Sequence, residues 1–183
     1  MTEFSFYHSL VDDDPKLAAP ALEALGRIAA SWARLEHHID ALIVQVNKPS
    51  YDERLFAEHP TSFSKKIELL KRWFNQYPPL SSYTADMRTL TQHMKALSKD
   101  DKRTVSRNLL LHAIPASYNA KSETLTLHHM AFEGANIHSR HIDVTLHQLH
   151  MFAGLIQMAN AYLATITREL FTPEWIERLG KRE

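Results

Sequence analysis

Lys102-Arg103-Thr104-Val105-Ser106-Arg107-Asn108-Leu109-Leu110-Leu111-His112 sets three polar side chains, Arg107, Asn108 and His112, beside a run of three leucines. Leu109 to Leu111 favour helix, and Pro115 forbids much continuation beyond them. The stretch therefore reads as the end of a long helix that begins near Ser82. Asn108 and His112 are four apart and share one helix face. Arg107 is displaced around the axis, but its side chain is long enough to curl toward the same space. An arginine grips phosphate, and a histidine moves a proton near neutral pH. The pair is a minimal phosphodiester-cleaving set. The plain alternative is a helix end with a histidine favoured by the macrodipole and an arginine in solvent.

Outward from this stretch, the inward face of the third helix carries Tyr83, Met87, Leu90, Met94 and Leu97 at spacings of three and four. Continued, that stripe meets Asp101, Thr104 or Val105, Asn108 and His112, so an apolar face turns polar. Residues 95 to 107 hold five bases (Lys95, Lys99, Lys102, Arg103, Arg107) against two acids (Asp100, Asp101), a local excess beside the motif. Residues 1–18 read as an irregular arm. The first helix runs from about Ala19 to Asn47 with Leu22, Leu25, Ala29, Trp32, Glu36, Ile39, Ile43 and Val46 on one side. Glu36 is the one carboxylate in that stripe. It needs a partner or an exit to water, and Arg107, Asn108 or His112 would serve as that partner.

A short helical turn is expected at Glu53 to Glu58. The second helix runs from about Ser62 to Tyr77, with Phe63, Ile67, Leu70, Phe74 and Tyr77 on one face. After Pro115, Ser122 to His129 alternates and is rich in threonine. Asn119 to Ser122 and Glu133 to Asn136 are turn sequences. Together they predict a small β-hairpin flap, or a three-stranded one, over about 114–142. Asp143 is the expected cap of a last long helix to Phe171. That helix carries Leu149, Ala153, Ile156, Asn160, Leu163, Thr167 and Leu170 on one side. Phe152, Leu155, Met158, Tyr162 and Ile166 widen its apolar surface. Such a girth belongs to the centre of a bundle or to a dimer interface. The expected fold is mainly α, a four-long-helix up-and-down bundle over 19–172 with the β-flap before the last helix. Residues 173–183 are a tail or a short terminal helix.

Composition bounds the function. A chain of 183 residues, 44% hydrophobic and 23% charged, makes one globular domain. No run approaches the ~18 apolar residues of a membrane span, so no membrane is expected. No secretory signal pattern opens the chain, and there is no cysteine, which fits a cytoplasmic protein. Net charge is zero, against a general nucleic-acid binder. Four glycines leave no room for a phosphate loop or a dinucleotide fingerprint. Six of the 12 histidines lie between 128 and 150: His128, His129, His138, His141, His147 and His150. They make metal binding on a helical protein the chemical rival. No His-Glu-x-x-His or Glu-x-x-His pattern supports it, so no metal and no cofactor are expected.

Trp32 to Ile43 (Trp-Ala-Arg-Leu-Glu-His-His-Ile-Asp-Ala-Leu-Ile), Lys65-Lys66-Ile67-Glu68-Leu69-Leu70 and Arg107-Asn108-x-x-x-His112 occur in that order. The pattern resembles the HEPN superfamily of higher-eukaryote and prokaryote nucleotide-binding domains, over roughly Ala19 to Phe171. In that family an arginine, four to six intervening residues and a histidine form the RNase motif, with a polar residue, often asparagine, after the arginine. Two protomers commonly place their motifs in a shared cleft. The resemblance implies a metal-independent endoribonuclease, with roles as toxin or antiviral effector. It implies a homodimer, an RNA substrate and an antitoxin or regulatory protein as partners. His112 would be general base or acid, Arg107 the stabiliser of phosphate charge, Asn108 an orienting group, and Glu36 the group that fixes the arginine or the histidine. Some HEPN-like proteins lack activity and serve as binding or dimerisation modules, which is the alternative reading. Arg54/His59, Arg88/His93 and Arg140/His147 repeat the loose spacing without the following asparagine.

Overall fold

The computed structural model of the protein describes residues 15–47, 60–76, 78–98, 106–133, 136–170, 172–174 and 177. It is mainly helical, with one three-stranded antiparallel sheet. Helix α1 spans Pro15–Asn47, α2 Phe63–Gln76 and α3 Thr84–Ser98, with a 3-10 segment Pro78–Tyr83 between the last two. A six-residue helix, α4, covers Arg107–His112. Strands β1 (Ile114–Asn119), β2 (Thr124–Glu133) and β3 (Asn136–Thr145) follow, and α5 (Leu146–Leu170) closes the order. The chain forms two compact units, residues 1–30 with 97–155, and residues 31–96 with 156–183. The short helix expected at 53–58 lies outside the described residues, as does residues 1–14 of the expected arm.

The second unit is built on apolar helix faces. Trp32, Leu35, Ile39, Leu42, Ile43 and Val46 are buried along α1, and Ile67, Leu70, Trp73 and Phe74 along α2. The Trp32 ring lies 4.7 Å from that of Phe63. Ser62 starts α2: its hydroxyl accepts from the Lys65 amide at 3.4 Å. Lys66 holds Asp40 of α1 at 2.8 Å, with the lysine side chain largely out of water. Met87, Leu90, Thr91 and Met94 form the buried face of α3. Asn160 is buried, and its side-chain amide donates to the Ser31 carbonyl at 2.8 Å. That bond occupies one of the polar groups that a buried asparagine must satisfy.

The first unit holds the sheet, in the order β1-β2-β3. β2 alternates as its sequence does: Leu125, Leu127 and His129 are buried, and Thr124, Thr126 and His128 face the other way. The Asn119 side chain accepts from the Lys121 and Ser122 amides, closing the β1–β2 turn. Of the two expected forms of the flap, the sheet takes the three-stranded one, and its last strand runs to Thr145 rather than ending near 142.

Four expectations need correction. The third helix does not run to His112. It ends at Ser98, and Ser106 has extended backbone, φ −118° and ψ 160°, so α4 is a separate helix. In the first half of α1 the buried positions are Ala18, Ala21, Ala24 and Ile28, whereas Leu22 and Ala29 are exposed. Stepping back from Trp32 by four residues, not three, keeps the 3.6 period and lands on Ile28. Asp143 does not cap α5. Thr145 does, its hydroxyl accepting from the Gln148 amide while Gln148 Oε1 accepts from the Thr145 amide, a reciprocal box. Among the described residues, one helix, α5, is long and apolar enough to cross a membrane by length and composition, against the expectation that no run approaches a membrane span. Its Leu149, Ile156, Leu163 and Leu170 are fully buried, as in the core helix of a folded domain.

Two phenols in the second unit are held by carboxylates. Tyr83 donates to Glu169 Oε2 at 2.6 Å. That hydrogen bond, then burial, then the Glu169 charge push its pKa up to about 12. Burial first, then the hydrogen bond and charge of Asp86, push Tyr162 up to about 12 as well. A raised phenol pKa favours folding while the phenol is protonated, so this contribution is complete below pH 10 and lost as pH rises toward 12. Ultraviolet titration of the six tyrosines should therefore show two late ionisations, one removed by Tyr83→Phe and one by Tyr162→Phe. Six ionisations grouped near pH 10 would contradict the two hydrogen bonds.

Candidate functional site

α4 begins because Ser106 can cap it. The Ser106 hydroxyl accepts from the Leu109 amide at 3.3 Å, and its carbonyl accepts from the Leu110 amide at 3.0 Å. Ser106 is fully buried, so these donors have no water to replace it. The helix ends at His112 because Ala113 is extended, φ −82° and ψ 151°, and its amide closes on the Leu109 carbonyl at 2.9 Å. Pro115, two residues on, offers no amide hydrogen to a continuing helix. Leu109 and Leu110 anchor α4 by burial, and the helix packs against β2.

That anchoring decides what α4 presents. Asn108 and His112 are exposed and lie one turn apart. Arg107 is half-buried, and its Nη1 donates to Asn108 Oδ1 at 2.9 Å. The asparagine thus draws the guanidinium around the helix toward the face that His112 shares. A guanidinium is a planar fork of donors, the shape that matches a carboxylate or phosphate. Asn108, expected to orient His112 or the phosphate, is hydrogen-bonded to the arginine instead. His112 sits at the C-terminal end of α4, with only Ala113 before the sheet.

Glu36 belongs to the second unit. It lies half-buried on α1, where its Oε1 accepts from Trp32 Nε1 at 2.9 Å. The Trp-x-x-x-Glu spacing carried this signal, because residues four apart on a helix meet. Arg107, Asn108 and His112 come together on one short helix, and Glu36 has a structural partner of its own.

Of the other arginine–histidine spacings, Arg54/His59 lies outside the described residues. Arg88 and His93 are exposed on α3. Arg140 stands opposite His129 in the β2–β3 register. His129 is the one histidine buried in the sheet, and its Nδ1 has no hydrogen-bond partner. The sequence marked it only as the last residue of the alternation, on the leucine side. Among the described residues, no group of three or more histidines, aspartates or glutamates is placed to hold a metal ion. No family model matches the chain, and no curated protein and no solved structure matches it.

Ser106→Ala leaves the Leu109 amide without its acceptor and should cost about 1 kcal/mol, the usual worth of such a cap. Urea unfolding should show this drop, with faster hydrogen exchange at the Leu109 amide. Ser117→Ala, on the exposed face of β1, should leave both unchanged. Equal exchange at Leu109 in wild type and Ser106→Ala would mean that α4 does not depend on the cap.

Proposed function

We propose that the protein is a metal-independent endoribonuclease of HEPN type. The observation that carries this reading is the Arg107–Asn108 hydrogen bond at 2.9 Å on a helix that also exposes His112. Arginine fork, orienting amide and imidazole are the side chains that transesterification at a ribose phosphate needs. His112 takes the proton of the 2′-hydroxyl as that oxygen attacks phosphorus. The P–O5′ bond breaks, leaving a 2′,3′-cyclic phosphate on one fragment and a 5′-hydroxyl on the other, whose oxygen takes its proton from the protonated His112 of the second protomer. Arg107 stabilises the charge that develops on the non-bridging oxygens.

In this reading the long helices α1, α2, α3 and α5 form the up-and-down bundle of the HEPN resemblance, with the sheet inserted before the last. The protein acts in the cytoplasm as a homodimer. Met151, Leu155 and Met158 support the dimer: they lie along one side of α5 and are 56%, 42% and 69% exposed. A role as toxin or antiviral effector, held in check by an antitoxin or regulatory protein, follows from the same resemblance. A net charge of zero favours a second reading, a HEPN-like binding and dimerisation module without catalysis, because RNA would approach with little electrostatic steering.

Single-stranded RNA incubated with purified protein tests the two readings. Arg107→Ala and His112→Ala should each lower cleavage by about 10²–10⁴-fold, the range for a lost acid–base or charge-stabilising group. Arg88→Ala, His93→Ala, Arg54→Ala and His59→Ala remove the same spacing elsewhere and should leave cleavage largely intact. Cleavage that survives both Arg107→Ala and His112→Ala would refute the site. A wild-type protein that gives a dimer by light scattering and cuts no RNA would establish the binding module instead.

A further inference from the structure

The outward face of the sheet gathers side chains that the proposed cleavage does not use. On β2 this face carries Thr126, His128 and Met130, opposite Asp143, His141 and Ser139 of β3. His128 and His141 are direct partners across the ladder, with ring centroids 4.9 Å apart and planes inclined by 57°. Nε2 of His128 is hydrogen-bonded to Ser139 Oγ, and His141 is exposed. On its other side, β2 pairs His128 with Ile114 of β1, so the strand is held from both edges.

We propose that His128 and His141 form a two-histidine chelate for a divalent transition-metal ion such as zinc or nickel, with water in the remaining positions. Facing residues of an antiparallel pair hold their β-carbons about 4.5–5.5 Å apart. That spacing lets two imidazoles converge on one ion at bonds of about 2.0–2.1 Å. Ring centroids 4.9 Å apart put both imidazoles within reach of one ion. The Ser139 hydroxyl can donate to Nε2 or accept from it. Metal binding selects the tautomer in which Nε2–H donates to that hydroxyl and the Nδ1 lone pair of His128 takes the ion, the arrangement in which an outer partner orients a ligating histidine. Imidazole nitrogens suit zinc, nickel and copper better than magnesium or calcium, so the site selects the borderline metals.

The ligand count sets the character of the site. Two protein ligands with no third carboxylate or imidazole in reach, among the described residues, leave an open and exchangeable coordination sphere. The nearest carboxylate on this face, Asp143, is engaged with the Thr126 hydroxyl at 2.7 Å. Such a site does not hold the fold together, as structural zinc does. The cleavage proposed for α4 runs without metal, so the two proposals stand or fall separately.

Calorimetric titration of the full chain with zinc chloride or nickel chloride, after removal of metal with EDTA, tests the chelate. Binding should be saturable at one ion per chain and should perturb the imidazole NMR signals of His128 and His141 together. His128→Asn and His141→Asn should each weaken it by about ten-fold or more, and Ser139→Ala by up to about ten-fold through loss of ring orientation. His141 is exposed, so its substitution reports on binding without disturbing the core. His147→Ala with His150→Ala, on α5, should leave binding unchanged. Loss of binding in that helical pair, undiminished binding in His141→Asn, or no saturable binding at millimolar zinc would each overturn the chelate.

Discussion

The register of β2 is the constraint on which the first unit depends. β2 is the middle strand, bonded to β1 on one side and β3 on the other. Its inward set is Leu125, Leu127 and His129, all buried. A slip of one residue would send the two leucines to water and bring Thr126 and His128 inside. Full burial of each leucine is worth about 1.5–3 kcal/mol, so the slipped pairing is strongly disfavoured. The same register seats Ile114 opposite His128, which sets where the chain leaves α4 and enters β1. It also sets His128 opposite His141. The motif helix and the histidine pair are thus both positioned by two buried leucines that take part in no chemistry.

α4 is short, and six residues would not hold a helix alone. It persists because its beginning is capped by a buried serine, its end is closed by Ala113, and Leu109 and Leu110 are buried. These supports have a chemical consequence. A helix fixed by its apolar side must turn Asn108 and His112 the other way. A separate helix, unlike the last turn of a longer one, also begins at Arg107, where the guanidinium can fold back onto the neighbouring asparagine.

Much of the fold was legible where one physical pattern dominates. Ile67, Leu70 and Phe74 of α2, and Met87, Leu90, Met94 and Leu97 of α3, are buried as their period predicts. So is the alternation through Leu125 and Leu127. The break before α4 is not legible in the sequence because Ser106, unremarkable among polar residues, is a helix start only when buried beside the amides it accepts from. Alanines rather than leucines line the first half of α1, since small residues can fill a close contact that hydropathy ranks low. On α5 the widened apolar surface divides. Phe152 and Ile166 are buried, Leu155 and Met158 exposed, and only the packing of the chain could decide which. Of the site, the grouping of Arg107, Asn108 and His112 was legible from spacing. The arginine–asparagine bond, the pairing of His128 with His141, and the engagement of Glu36 by Trp32 depend on side-chain direction, which spacing constrains only partly.

Cleavage by α4 through its own side chains, by attack of the ribose 2′-oxygen, is decided by the chemistry of the RNA ends that the wild-type protein leaves in EDTA. The fragments should end in 2′,3′-cyclic phosphate and begin with 5′-hydroxyl, at a rate that EDTA does not lower. Fragments with 3′-hydroxyl and 5′-phosphate ends, or cleavage that EDTA abolishes, would contradict it.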